Sequence, residues 1–140
     1  MTQKIKNILG WVLTTLLALV FISSAAMKFV GSEEAVKGAA SMGLSAGTLR
    51  LIGVVEIGSL LLFIFPRTGV LGTLLLAAYL GGAIATHVEH QQPIFVTVVM
   101  QALLWITAVI RFPELSRRLV GNKTIEQESN TLTSKNFAQA

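Results

Sequence analysis

The 140-residue chain contains no cysteine, which excludes disulfides, thiol redox chemistry, zinc–thiolate sites and iron–sulfur ligation together. It also has little charge, because charged residues make up 13% of the chain, where a soluble domain carries about 25%. Hydrophobic residues account for 53%. This composition excludes an ordinary soluble domain and indicates a membrane protein.

Several recognition motifs are missing as well. The chain has no phosphate-binding glycine loop, no nucleophile elbow and no HExxH sequence. Its formal net charge is +4. However, the sequence has no stripe of Lys and Arg with interleaved aromatic residues that could bind a phosphate backbone, so we predict no nucleic-acid partner. We also predict no metal site, because His87 and His90 are one helical turn apart without an accompanying carboxylate triad.

Four apolar runs have about the length needed to cross the roughly 30 Å hydrocarbon layer as helices. They cover residues 8–27, 49–65, 68–87 and 94–110. A short amphipathic helix is predicted over residues 33–42, on the membrane surface, with Ser32 as its N-cap. The predicted fold class is therefore all-α, an integral membrane four-helix bundle with a short amphipathic helix between the first and second spans.

The chain divides into two parts by composition. Residues 1–121 are predicted to form the transmembrane domain, and residues 122–140 a polar tail with too few apolar side chains to pack, which we expect to be disordered. The first span also resembles a signal peptide, but its apolar run of 20 residues exceeds the usual ~7 to 15 of such peptides. We expect it to be retained.

The basic residues are sorted to one side of the predicted bundle. Eight of the eleven lie on the side of the N-terminus: Lys4, Lys6, Arg67, Arg111, Arg117, Arg118, Lys123 and Lys135. Because Lys and Arg are enriched in cytoplasmic segments of membrane proteins, both termini are predicted to be cytoplasmic.

Glu56 lies close to the middle of the second span. A charged side chain at such a depth costs on the order of 3 kcal/mol, so it needs a partner, a hydrated cavity or a proton. With a rise of about 1.5 Å per residue, Glu56 and Gln101 both lie roughly 10 Å below the outer surface. Helical side chains lean toward their own N-terminus, so Lys28 and His87 lean inward while Glu56 and Gln101 lean outward. We therefore expect these four side chains to converge.

Tyr79 and Ser24 belong to the same layer by the same count. The six residues together predict a polar pocket for a ligand or for proton relay. Each also has a structural interpretation. Glu56 could be a protonated carboxyl bonded to Gln101, Lys28 a side chain that reaches the interface, His87 an interface residue, and Tyr79 a packing residue.

Four short segments follow one another along the chain: residues 24–29 (SAAMKF), 42–44 (MGL), 51–58 (LIGVVEIG) and 86–87 (TH). As an ordered set they resemble the DoxX-like family of small four-helix bacterial membrane proteins. The resemblance covers about residues 8–111, and Lys28, Glu56 and His87 are its most specific part. It implies a bundle in the bacterial inner membrane. The family is named after a subunit of a thiosulfate:quinone oxidoreductase, an activity that needs a partner subunit.

Three functional hypotheses remain open. In the first, the pocket binds a small polar or amphiphilic molecule such as a quinone headgroup; Glu56 accepts a hydrogen bond or proton, Lys28 balances its charge and His87 relays protons. In the second, the chain is the membrane subunit of a quinone-linked oxidoreductase with a redox partner. In the third, it has a structural or assembly role. No cofactor other than a quinone is predicted, catalytic residues are unassigned, and a homo-oligomer is left open.

Overall fold

The computed structural model describes residues 2–120 together with residues 131, 134 and 137. Residues 2–120 form six helices, which are α1 (Gln3–Val30), α2 (Glu33–Ser41), α3 (Ala46–Ile64), α4 (Gly69–Glu89), α5 (Phe95–Arg111) and α6 (Pro113–Val120). All regular secondary structure of the described residues is helical, which confirms the all-α prediction. The predicted disordered tail lies almost entirely outside the described residues.

The four long helices form a closed ring. α1 packs against α3 and α5, and α4 packs against the same two helices. Neighbours in the ring are antiparallel, so α1 and α4 begin where α3 and α5 end. We call this the Arg111 end of the bundle, and the opposite end, where α1 and α4 finish, the Lys28 end.

The outer surface of the ring is apolar. Leu19 and Leu51 are each 62% exposed, and many other large aliphatic side chains face outward in the same way. α1, α3 and α4 are long and apolar enough to cross a membrane, and α5 meets the same test together with α6, from which it is bent by 108°. Such a surface belongs in lipid, so the predicted integral membrane bundle is confirmed.

The short helix α2 is also confirmed. The Ser32 hydroxyl accepts a hydrogen bond from the Ala35 backbone N–H at 3.3 Å, as expected of an N-cap,. Glu33 and Glu34 lie in the first turn, where negative charge complements the helix dipole. α2 packs on α1 and α3 at the Lys28 end.

The sequence interpretation missed α6. Pro113 is its first residue, a position that tolerates the missing backbone N–H, while Glu114 lies in the first turn and Arg117 and Arg118 in the last. Leu115 is 7% exposed and belongs to the main core. With eight residues, α6 is too short to give a periodic apolar pattern. The proline at its start and the charges in its first and last turns were the sequence signals that could have predicted it.

The helices approach most closely near the Arg111 end. A Cβ atom at Gly72 would overlap the backbone of Phe63, and one at Gly69 would overlap the ring of Phe112. These glycines therefore let α4 lie directly against α3 and against the end of α5, as small residues do in membrane bundles. By contrast, a Cβ at Gly82, toward the Lys28 end, meets nothing within 4 Å.

Candidate functional site

A buried ion pair joins α1 to α3. The Lys28 Nζ atom lies 2.6 Å from Glu56 Oε2, and the two side chains are 15% and 1% exposed. Lys28 stands in the last turn of α1, from which its stem leans back into the bundle. The ammonium group therefore provides the partner that a carboxylate at this depth requires.

Two hydroxyl groups complete the surroundings of Lys28. Its Nζ donates hydrogen bonds to Ser24 Oγ at 2.5 Å and to the Tyr79 hydroxyl at 3.2 Å, besides that to Glu56. An ammonium group has three protons, so all three are used. We call Ser24, Lys28, Glu56 and Tyr79 the Lys28 cluster; it links α1, α3 and α4.

Packing fixes the Tyr79 ring beside this cluster. The ring meets that of Phe21 edge to face, with centroids 6.3 Å apart, and Phe21 is 2% exposed. The Tyr79 oxygen accepts from Lys28, and the hydroxyl also lies within hydrogen-bonding reach of Glu56 and Ser24. The Tyr79 hydroxyl is therefore held at a fixed position within the Lys28 cluster.

A cavity of about 700 Å³ opens beside the Lys28 cluster. Its walls come from α1 to α5, with Ala35 and Ala39 of α2 among them, and are mostly apolar apart from the cluster and a few further polar groups. Small-molecule sites in proteins have volumes of about 300 to 1,000 Å³ and a similar mixture of apolar walls with a few placed polar groups. The cavity has the size and character of a site for an amphiphilic molecule.

His87 lines the same cavity from α4. Its Nδ1 atom lies 2.7 Å from the Ala83 carbonyl oxygen, and because a carbonyl only accepts, Nδ1 carries a proton. Nε2 is then the nitrogen left for other partners, an acceptor when the ring is neutral. Among the described residues, no hydrogen bond joins His87 to the Lys28 cluster.

Gln101 has a different environment from the other five predicted residues. Its neighbours Thr97 and Met100 line the cavity, but Gln101 does not. Its Oε1 atom is buried and has no hydrogen-bond partner among the described residues. Each residue along a helix is turned by about 100° from the last, so a side chain at the expected depth can still face another neighbour. The expected convergence on Glu56 does not extend to Gln101.

A second cation, Arg111, has a role that the sequence interpretation missed. Its Nη1 donates to Thr14 Oγ1 at 3.1 Å and to the Phe63 carbonyl at 3.3 Å, and its Nη2 donates to the Ile64 carbonyl at 2.5 Å. The last carbonyls of a helix have no partner within it. Arg111 therefore caps α3 while joining it to α1 and α5.

The Arg111 guanidinium also contacts aromatic rings. Its Cζ atom lies 4.5 Å from the centroid of Trp11, 5.5 Å from that of Phe63 and 5.3 Å from that of Phe112. Sequence reasoning had used Arg111 only in the charge count. The carbonyls just before Pro66, which have no partner within their own helix, were the signal that could have identified this role of Arg111.

The model of the DoxX-like family matches residues 12–110. The matched region begins in α1 and ends one residue before the end of α5, so it contains the whole Lys28 cluster and every residue that lines the cavity. No curated protein and no solved structure matches the chain. The match confirms the resemblance found in the sequence.

Proposed function

The chain belongs to the DoxX-like family, and within that family we propose that it binds a small amphiphilic molecule, such as a quinone, in the cavity at the Lys28 end. The observation that carries the proposal is a nearly unexposed ion pair beside a largely apolar cavity of about 700 Å³. Intramembrane ionisable groups generally mark ligand or proton pathways. The polar head of the ligand would lie against the cluster and its apolar part along the helices.

The polar groups fit the chemistry of a quinone headgroup. A ligand carbonyl oxygen would compete with Glu56 for the Tyr79 hydroxyl proton, and Glu56 can accept a hydrogen bond or a proton while Lys28 balances its charge,. His87, on the same cavity, offers Nε2 for exchange of protons with water. The site thus combines a phenol, a carboxylate and an imidazole around one space.

The distribution of charge supports an orientation in the proposed bacterial inner membrane. Within residues 2–120, the Arg111 end carries six cations and one carboxylate, and the Lys28 end three cations and four carboxylates. The more basic end of a multi-pass protein faces the cytoplasm. The cavity would then open toward the outer half of the membrane.

Binding can be tested on the gently solubilised full-length protein. Native mass spectrometry reports a retained quinone or lipid together with the number of chains and any redox subunit that purifies with it. Titration with a short-chain quinone then gives an affinity. Replacing Tyr79→Phe keeps the ring contact with Phe21 and should lower that affinity by about five- to tenfold, the effect of one hydrogen bond of about 1 kcal/mol or slightly more.

Two further variants complete the test. Glu56→Gln should lower the affinity at least as much, while Lys37→Gln, which removes the exposed cation paired with Glu33, should leave it unchanged. Unchanged affinity in both Tyr79→Phe and Glu56→Gln would contradict the proposal.

A structural role is the second candidate, because Lys28 donates all three of its protons within the protein. In that case the cluster serves only to join α1, α3 and α4. Glu56→Gln would then lower the melting temperature, while the quinone titration would give no saturable binding in any variant.

A further inference from the structure

A second cavity, of about 290 Å³, lies at the Arg111 end. It is lined by Lys6, Asn7, Trp11, Pro66, Ile110, Arg111, Phe112 and Glu114. We propose that this cavity binds the phosphate headgroup of an anionic phospholipid. The proposal is independent of the quinone site, which lies at the opposite end of the bundle.

Three side chains offer hydrogen-bond donors to a phosphate here. Lys6 has a free ammonium group, since it makes no ion pair among the described residues. The Asn7 Oδ1 atom accepts from Gln3 Nε2 at 3.2 Å, which leaves the Asn7 amide N–H groups to donate. Arg111 uses three of its five N–H groups within the bundle,, so the Nε proton and one on Nη2 remain.

The charge of the surroundings matches an anion. Lys6 and Arg111 contribute two positive charges to the wall, and Glu114 contributes one negative charge. Arg67 follows Pro66 directly, and α6 adds Arg117 and Arg118 at the same end. Basic pockets on the cytoplasmic side of membrane proteins bind anionic headgroups in this way.

Two observations place the cavity at headgroup depth. α6 turns by 108° from α5, so it runs across the end of the bundle, with Leu115 buried and Leu119 56% exposed. This arrangement is that of a helix in the membrane interface. Trp11, whose ring contacts the Arg111 guanidinium, is of the type enriched at the same level.

Tryptophan fluorescence tests this site directly. The chain has two tryptophans, so Trp105→Phe leaves Trp11 as the sole emitter. The full chain is reconstituted in phosphatidylcholine vesicles with a small fraction of phosphatidylglycerol, and either lipid is brominated near the headgroup end of its acyl chains. At equal mole fraction, brominated phosphatidylglycerol should quench Trp11 more strongly than brominated phosphatidylcholine.

Removing a positive or a negative charge at the cavity should change the preference for phosphatidylglycerol in opposite directions. Lys6→Gln should lower the preference for phosphatidylglycerol about fivefold, the typical effect of one basic residue near the surface, and Glu114→Gln should raise it. Lys37→Gln, a cation at the opposite end, should leave it unchanged. Equal quenching by the two brominated lipids, or no change in Lys6→Gln, overturns the proposal.

Added inorganic phosphate separates a lipid from a free anion. If phosphate relieves the quenching no more than sodium chloride of equal ionic strength, the lipid headgroup is the ligand. If phosphate relieves it at low concentration while sodium chloride does not, the site takes a free anion and the lipid proposal is wrong.

Discussion

Lys28 and Arg111 are both partly buried cations that each join three helices, yet they differ in what they bind. Lys28 pairs with a carboxylate beside a large cavity, whereas Arg111 binds backbone carbonyls, a hydroxyl and aromatic rings. The charge of Lys28 is balanced inside the protein by the Glu56 carboxylate. The charge of Arg111 is not cancelled by any hydrogen-bonded carboxylate among the described residues, so it remains available to anions at the surface.

The two ends also differ in how closely the helices pack. Gly69 and Gly72 leave no room for a Cβ atom at the Arg111 end, while Gly81 and Gly82 face open space toward the Lys28 end. α4 therefore lies directly against α3 and the end of α5 at the Arg111 end, whereas a cavity lies beside it at the Lys28 end. Three predictions test this comparison.

The largest effect is expected from Gly72→Ala. The new methyl group would overlap the Phe63 backbone, so α3 and α4 must separate, at a cost of about 3 kcal/mol or more. Gly82→Ala is the matched control, and its free energy of unfolding should change by no more than about 1 kcal/mol. Unfolding in mixed micelles measures both. Equal losses in the two variants would show that packing does not differ between the ends.

A smaller loss is expected from Arg111→Met. The aliphatic chain is kept, but the Thr14 hydroxyl and the Phe63 and Ile64 carbonyls lose their donor, which should lower the free energy of unfolding by about 2 to 3 kcal/mol. Arg117→Met removes an exposed cation of α6 and should have little effect. If the two variants have the same free energy of unfolding, the Arg111 hydrogen bonds do not stabilise the packing of α3 against α1 and α5.

The smallest of the three effects is the coupling between Lys28 and Glu56. Glu56→Gln removes the negative charge beside Lys28 but keeps an accepting oxygen, and the two hydroxyl partners remain, so we expect a loss of about 2 kcal/mol, below the range for a fully enclosed pair. Lys28→Met should cost a similar amount. The double variant should lose less than the two single losses added, by about 1 to 2 kcal/mol. Additive losses would mean that the pair contributes nothing as a pair.

The Lys28 cluster could be anticipated from the sequence because depth in a membrane helix follows from counting residues. Ser24, Lys28, Glu56 and Tyr79 were placed in one layer, and the structure brings them into contact. What counting does not supply is rotation about each helix axis, which depends on the packing of whole helices. Gln101 lies at the expected depth, but it does not line the cavity as expected.

The Arg111 site shows a different limit of sequence reasoning. Arg111 was counted as a charge, while its partners at Thr14, Phe63 and Ile64 are distant in sequence and two of them are backbone atoms. Backbone carbonyls carry no residue-type signal. α6 was missed for a related reason, since its position depends on one buried leucine rather than on a repeated pattern.

The capping of α3 by Arg111 has a consequence for biosynthesis. Arg111 follows Ile64 by 47 residues, so α3 leaves the ribosome before the residue that caps it. Because chains are made from the N-terminus onward, α3 emerges while those carbonyls still lack their final donor. The last transmembrane helix to be synthesised, α5, thus supplies the side chain that joins α1 to α3.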